Sequence, residues 1–210
     1  MINVDERVAA PVAAYPEASG YPRRGELRIV EVPARRCLAV DGVGEPGGRA
    51  FQDAIGALYG TAYSLHFLLR ERGVEAHVSP LEGLWTRREG EQDWAEGPVA
   101  FDPGAWRWTL LIPLPDGATG PEIETALATA ASRKGGALPP VEVRMVAEGL
   151  VVEALHVGPY ATEPDTIAAM HRLAGERGLA PHGAHHEIYL GDPQRSKPEN
   201  LRTVLRQPVR

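Results

Sequence analysis

The chain of 210 residues, 43% apolar and 24% charged, is long enough to bury a core as one large domain or two small ones, and its balance excludes disorder and fibres. A formal net charge of -6 argues against an extended nucleic-acid face, and a single cysteine, Cys37, excludes an intrachain disulfide. No apolar run approaches the ~20 residues of a membrane span and the N-terminus lacks a signal-peptide pattern, so a soluble, cytoplasmic protein is expected.

Residues 1–25, rich in Pro, Ala and Gly, show no sustained period and read as a loosely ordered arm. Leu27 to Val40 is extended and interrupted by Pro33, with Cys37 a small buried filler. The glycine-rich stretch from Asp41 to Gly48 has neither the Lys-Ser/Thr of a phosphate loop nor the dinucleotide spacing, and is read as a connection. Phe51, Ala54, Ile55, Leu58, Ala62, Leu65 and Leu69 then recur at helical spacing, with Gly73 as the stop. Tyr59, Tyr63 and His66 form a line beside that stripe. Val78 to Thr86 predicts a strand, Arg87 to Gly104 a long polar loop, and Trp106 to Ile112 a strand closed by Pro113. Pro121 opens a second helix that Gly135-Gly136 ends.

After Pro139-Pro140 the pattern begins again. Val141 to Val157 reads as paired strands around the turn Glu148-Gly149. Glu163 to Arg177 is a helix with Ile167, Met170, Leu173 and Ala174 inward. Ala184 to Leu190 is a short strand, and the last strand ends Leu205-Arg206-Gln207-Pro208. The strand at Ala184–Leu190 carries the chemistry. Its alternation puts His185, Glu187 and Tyr189 on one face and His186, Ile188 and Leu190 on the other, which reads as core. An imidazole, a carboxylate and a phenol in a row on a rigid element form a candidate site.

The two parts resemble each other internally. Each has a strand ending in glycine (Gly42, Gly158), a helix ending in glycine (Gly73, Gly178) and a strand with a glutamate (Glu82, Glu187). The expected class is α+β: tandem strand-helix-strand-strand units forming one antiparallel sheet, with the helices on one side and a concave ligand pocket. The halves are about 26–138 and 139–210. Glu82 and Glu187 are expected on equivalent strands, both facing the concave side.

These stretches resemble the GyrI-like small-molecule-binding family. The resemblance is carried by Val40-Asp41-Gly42-Val43-Gly44-Glu45-Pro46, Ala57-Leu58-Tyr59-Gly60-Thr61-Ala62-Tyr63-Ser64-Leu65, Pro80-Leu81-Glu82-Gly83-Leu84-Trp85, His156-Val157-Gly158-Pro159-Tyr160 and His185-His186-Glu187-Ile188-Tyr189-Leu190, in that order and spacing. It covers about residues 26–210 and is nearest the stand-alone branch, some members of which hydrolyse cyclopropane-bearing DNA-alkylating natural products. Other relatives bind cationic drugs as the sensing half of transcription regulators, or bind gyrase. The resemblance implies a pocket-floor role for Glu187. The first arm is shorter than a DNA-binding domain, and His66 stands where the resemblance leads one to expect lysine.

On this reading Glu187 is the general base and Tyr189 the donor or orienter. Tyr63, Trp85, Trp108 and Tyr160 are candidate walls for a planar aromatic ligand, with Glu82 and His185 as further ligand contacts. Strand parity turns Trp85 away from Glu82 unless Gly83 forms a bulge. His182, His185, His186 and Glu187 suggest a metal cluster, but adjacent strand residues point apart, so neither a metal nor a cofactor is expected. No Gly-x-Ser-x-Gly elbow is present. Glycosidase-type use of Glu82 with Glu187 would need carboxyls roughly 5 to 10 Å apart. Two functions stand side by side: a detoxifying hydrolase, and a non-catalytic module that sequesters or senses aromatic or cationic compounds. Direct nucleic-acid and membrane binding are not expected; a protein partner, a regulator or gyrase, is a third reading.

Overall fold

The computed structural model describes residues 20–86, 106–133, 138–193 and 195–210. Most of the expected arm, the polar loop 87–104 and the stop at Gly135-Gly136 lie outside the described residues. The elements follow as β1 (Leu27–Val32), β2 (Arg35–Val43), α1 (Arg49–Glu71), β3 (Glu82–Thr86), β4 (Arg107–Pro113), α2 (Gly120–Arg133), β5 (Glu142–Val146), β6 (Gly149–Val157), α3 (Glu163–Glu176), β7 (His185–Tyr189) and β8 (Arg202–Pro208). Pairings between these strands are antiparallel, which gives the expected α+β class.

Two compact units result. The first holds residues 20–34 and 147–210, with strand order β1-β6-β8-β7 and helix α3. The second holds the described residues between 35 and 146, with strand order β3-β4-β2-β5 and helices α1 and α2. These units are not the sequence halves, because each half gives its first strand to the other unit. β5 and β6, expected to pair around Glu148-Gly149, separate: β5 pairs with β2, and β6 lies between β1 and β8. The physical reason is tertiary: β6 pairs with β1 on one side and with β8 on the other, so neither of its edges is left for β5.

Within each unit the helix covers one face of its strands. Val152, Ala154 and Leu205 pack with Met170 and Ala174 of α3. Leu65 and Leu69 of α1 pack with Ile123 and Ala126 of α2. Burying one such leucine contributes about 1.5–3 kcal/mol. The expected helix stops are present. Gly73 (φ 78) and Gly178 (φ 70) adopt the left-handed conformation, and the next residues, Val74 and Leu179, donate back to Leu69 O and Ala174 O at 3.0 and 2.9 Å.

One glycine in the second unit is fixed by an indole. Trp108 lies opposite Gly42 in the β2–β4 pairing, and its ring covers the space a side chain would need. A methyl group at Gly42 would sit 2.0 Å from Trp108 Cη2. The indole N–H donates to Gly44 O at 3.3 Å, so the ring is held along the turn that follows β2. Overpacking of this kind costs about 1–3 kcal/mol. Gly42→Ala should therefore lower stability in urea unfolding by roughly that amount. Adding Trp108→Leu should recover part of the loss; strict additivity of the two substitutions would contradict the packing account.

Candidate functional site

β7 behaves as its alternation predicts. His186 and Ile188 turn to one face, and His185, Glu187 and Tyr189 to the other. Both faces, however, pack against other elements: His185, His186 and Ile188 are buried, while Glu187 and Tyr189 are half-buried. Glu187 lies opposite Leu205, and Leu205 lies opposite Ala154, so all three share the face that packs on α3. Glu187 is thus on the helix-bearing side of its own strands, which corrects the expected placement on a helix-free face.

Glu82 lies on the other kind of face. It pairs with Leu111, in a row with Cys37 and Ala39, away from α1. The equivalence of Glu82 with Glu187 therefore slips by one residue. Leu111 corresponds to Arg206 when the strand ends Pro113 and Pro208 are matched, and Arg206 lies opposite His186. Glu82 corresponds to His186, and Glu187 to Gly83. A one-residue slip exchanges the faces of a strand.

The group around Glu187 is built by three elements. From β7, the Tyr189 hydroxyl donates to Glu187 Oε2 at 2.7 Å. From the turn before α3, Tyr160 meets Tyr189 edge to face, with ring centroids 6.2 Å apart. From the first position of α3 comes Glu163, 6% exposed, hydrogen-bonded to Thr203 of β8. Among the described residues Glu163 Oε1 has no hydrogen-bond partner.

Electrostatics separate these groups. Burial, then the negative charge of Glu187, pushes the Glu163 carboxyl up to about 9, against a smaller lowering by the Thr203 hydroxyl. Glu163 is therefore neutral at pH 7 and can donate a proton. Burial and the charges of Glu187, Glu163 and Asp192 push the Tyr160 phenol up to about 12, so it also remains a donor. His185 Nε2 stands 3.9 Å from Glu187 Oε1, within ion-pair range only if protonated. Burial, followed by the neighbouring His186 and His171, lowers His185 to about 3 and keeps it neutral. It is a polar neighbour of Glu187 and not a counter-ion.

The opposite face of this unit carries a buried charge network. Arg206 donates to Glu153 at 2.9 Å and to Glu148 at 3.4 Å, His186 Nδ1 lies 2.7 Å from Glu148, and Arg28 reaches Glu153. This is why His186, adjacent in sequence to the site, takes no part in it. Among the described residues no group of three or more His, Cys, Asp or Glu could hold a metal ion.

The remaining candidates belong to the second unit. Glu82 is buried in a bidentate pair with Arg35, at 2.9 and 2.5 Å. Trp85 and Trp108 are cross-strand neighbours packed on Phe51 of α1, with centroids 5.9 and 5.2 Å away, and Trp85 also meets Trp106. Trp108 is only 3% exposed. Gly83 keeps regular pairing with Leu110, so no bulge turns Trp85 to the Glu82 side. Tyr63, 50% exposed, stacks on Tyr59. His66 Nδ1 lies 2.7 Å from Ala76 O and pins the segment after α1. Glu163 was not among the sequence candidates. An acidic residue in a first helical turn ordinarily stabilises the helix from solvent, and nothing local marks this one as buried.

A pH dependence follows. From about 4.5, the ordinary glutamate value, to about 9 the folded chain holds a proton on Glu163 that the unfolded chain has released. More protons are bound in the fold, so this group makes stability fall as pH rises through that window. Glu163→Gln should flatten the fall, and its melting temperature should exceed that of the unsubstituted chain at about pH 8.5. An unchanged pH–stability curve would contradict the burial account.

Residues 118–210 match the model of the GyrI-like small molecule binding domain. Among solved structures, an uncharacterized conserved protein from Listeria innocua is 35% identical, with a TM-score of 0.78 over 90% of this chain and 94% of that one. A hydrolase from Listeria innocua is 31% identical, TM-score 0.74, over 92% and 95% of the two chains. A further Listeria innocua hydrolase is 32% identical, TM-score 0.74, over 90% and 94%. The C-terminal domain of EcmrR, 9% identical with a TM-score of 0.52, shares the fold alone. No curated protein matches the chain. No described helix is long and apolar enough to cross a membrane. With such identity sustained over nearly the full length of its neighbours, the chain belongs to the GyrI-like small-molecule-binding family.

Proposed function

We propose that this protein hydrolyses cyclopropane-bearing polycyclic genotoxins at the Glu187 site. The observation that carries the reading is the pairing of unlike carboxyls: Glu187 oriented by Tyr189, and Glu163 kept neutral beside it. Groups whose surroundings push their protonation apart form the acid and base of a site. The two hydrolases at 31 and 32% identity support the reaction class.

In the reaction, Glu187 takes a proton from water while the water oxygen bonds to the cyclopropane methylene. The ring carbon–carbon bond breaks, and its electron pair moves through the conjugated dienone to the carbonyl oxygen. That oxygen takes a proton from a neutral donor, for which Glu163 and Tyr160 are available. Return of a proton from Glu187 to the donor resets the site, and the product is the ring-opened alcohol with a phenol. Tyr160 and Tyr189 offer aromatic surface for a planar substrate. No step is assigned to Glu82, Trp85, Trp108 or Tyr63.

A second reading has its own observation. Glu187 and Asp192 act on Tyr160 as negative charges, a setting that attracts a cation. Under it the protein sequesters a cationic aromatic compound without turnover.

Incubation with a cyclopropanoid alkylator, followed by mass spectrometry for the water adduct, separates the two. Glu187→Gln should retain binding of a neutral planar substrate and lose about 10²–10⁴ in rate. Glu163→Gln should slow turnover and move the alkaline limb of the pH–rate profile. Binding without any water adduct in the unsubstituted protein would favour the sequestering module.

A further inference from the structure

The outer edge of β5 is built to pair. The Leu114 N–H donates to Arg36 O at 2.9 Å, so Arg36 directs its main-chain groups toward β4. Alternation then directs those of Cys37 and Ala39 toward β5, where they face Arg144 and Glu142. The main-chain groups of Val143 and Met145 consequently point away from β2. Among the described residues nothing pairs with them, and β5 is the outermost strand of its unit.

The side chains repeat the message. Val143 and Met145 are 43% and 60% exposed. Val143 sits opposite buried Leu38, so the apolar row on that face runs out to the edge. Edge strands are ordinarily protected by charged side chains, lysine above all, by proline or by a bulge. Glu142 to Val146 contains no lysine or proline, and its pairing with β2 is unbroken.

The charges select the occupant. Glu142 and Arg144 share the other face of the strand. An antiparallel pairing of two copies centred on Val143 sets Glu142 opposite Arg144 of the partner subunit, and the reverse pair forms at the symmetric position. Centring on Glu142 or on Arg144 instead sets like charges against each other, which disfavours those registers. An isologous interface needs this self-complementarity. Arg144 already holds Asp41 at 2.8 and 2.7 Å and Glu142 at 3.2 Å, which fixes its guanidinium along the edge. From these features we infer that the chain forms a two-fold dimer by joining β5 to β5 of a second copy, with Val143 on the axis. This does not rest on the proposed catalysis.

Strand addition across five residues makes a small interface, at the weak end of specific association. Sedimentation of the full chain from about 1 µM to about 1 mM should show a reversible monomer–dimer equilibrium. Glu142→Arg alone and Arg144→Glu alone each set like charges across the axis and should weaken the dimer at least about tenfold. An equimolar mixture of the two variants should recover association, since each supplies the charge the other needs. Val143→Cys should cross-link to a dimer on mild oxidation, because residues facing each other in a hydrogen-bonded pair lie ~5.5 Å apart and Cys37 is buried. A monomer throughout the range, charge variants that associate as tightly as the unsubstituted chain, or no cross-link from Val143→Cys would each overturn the proposal.

Discussion

The site depends on one desolvated proton. Glu163 occupies the first position of α3, where the helix dipole favours a charged carboxylate by about 0.3–1 kcal/mol, less than one pKa unit. Burial works in the opposite direction and can displace a carboxyl by up to roughly 3–5 units. Burial wins, assisted by the charge of Glu187, and the Thr203 hydroxyl offsets only part of it. A carboxyl that would be an ordinary ionised helix-end residue in water stays protonated at pH 7.

The strands supply the geometry for that proton. Regular pairing through Glu187↔Leu205 and Tyr189↔Thr203 fixes β7 against β8, and so fixes Glu187 relative to the Thr203 that holds Glu163. On the reverse face, Arg206 bridges Glu148 and Glu153 with all three buried. Such a network is weak evidence for stability, since desolvation cancels much of its attraction. Removing one member would leave a buried charge unpaired, however, at roughly 3–5 kcal/mol. The network therefore makes the strand register costly to change, and the register is what keeps Glu187 on the face with α3.

Much of this was legible in the sequence. The period of Phe51 to Leu69, the helix from Glu163 and the glycine stops at Gly73 and Gly178 predicted α1 and α3 closely. The alternation of β7 predicted which residues share a face with Glu187, and the Tyr189 hydroxyl donates to it. What failed had a physical cause in each case. The exchange of β1 and β5 between units leaves no local pattern, because a strand pairs according to tertiary context: both edges of β6 are taken by β1 and β8. The order of glycine-ended strand, glycine-ended helix and glutamate-bearing strand that matched Glu82 with Glu187 ignored register, and one residue changed the face. Trp85 and Trp108 read as candidate ligand walls, whereas both pack on Phe51, and for Trp108 the absent side chain at Gly42 is the mark of that packing. Glu163 was invisible because burial of a first-turn carboxylate comes from the fold around it and not from its neighbours in sequence.

The central claim is that one carboxyl of the Glu163–Glu187 pair stays protonated at neutral pH. The most direct measurement is a ¹³C NMR titration of protein labelled at the glutamate carboxyl carbons, with the Glu163 resonance assigned by its loss in Glu163→Gln. The account predicts that this resonance keeps the shift of a neutral carboxyl through pH 7 and titrates at about 9, far above the ordinary 4.5. A Glu163 resonance already ionised by about pH 6 would contradict it, and with it the division of acid and base roles.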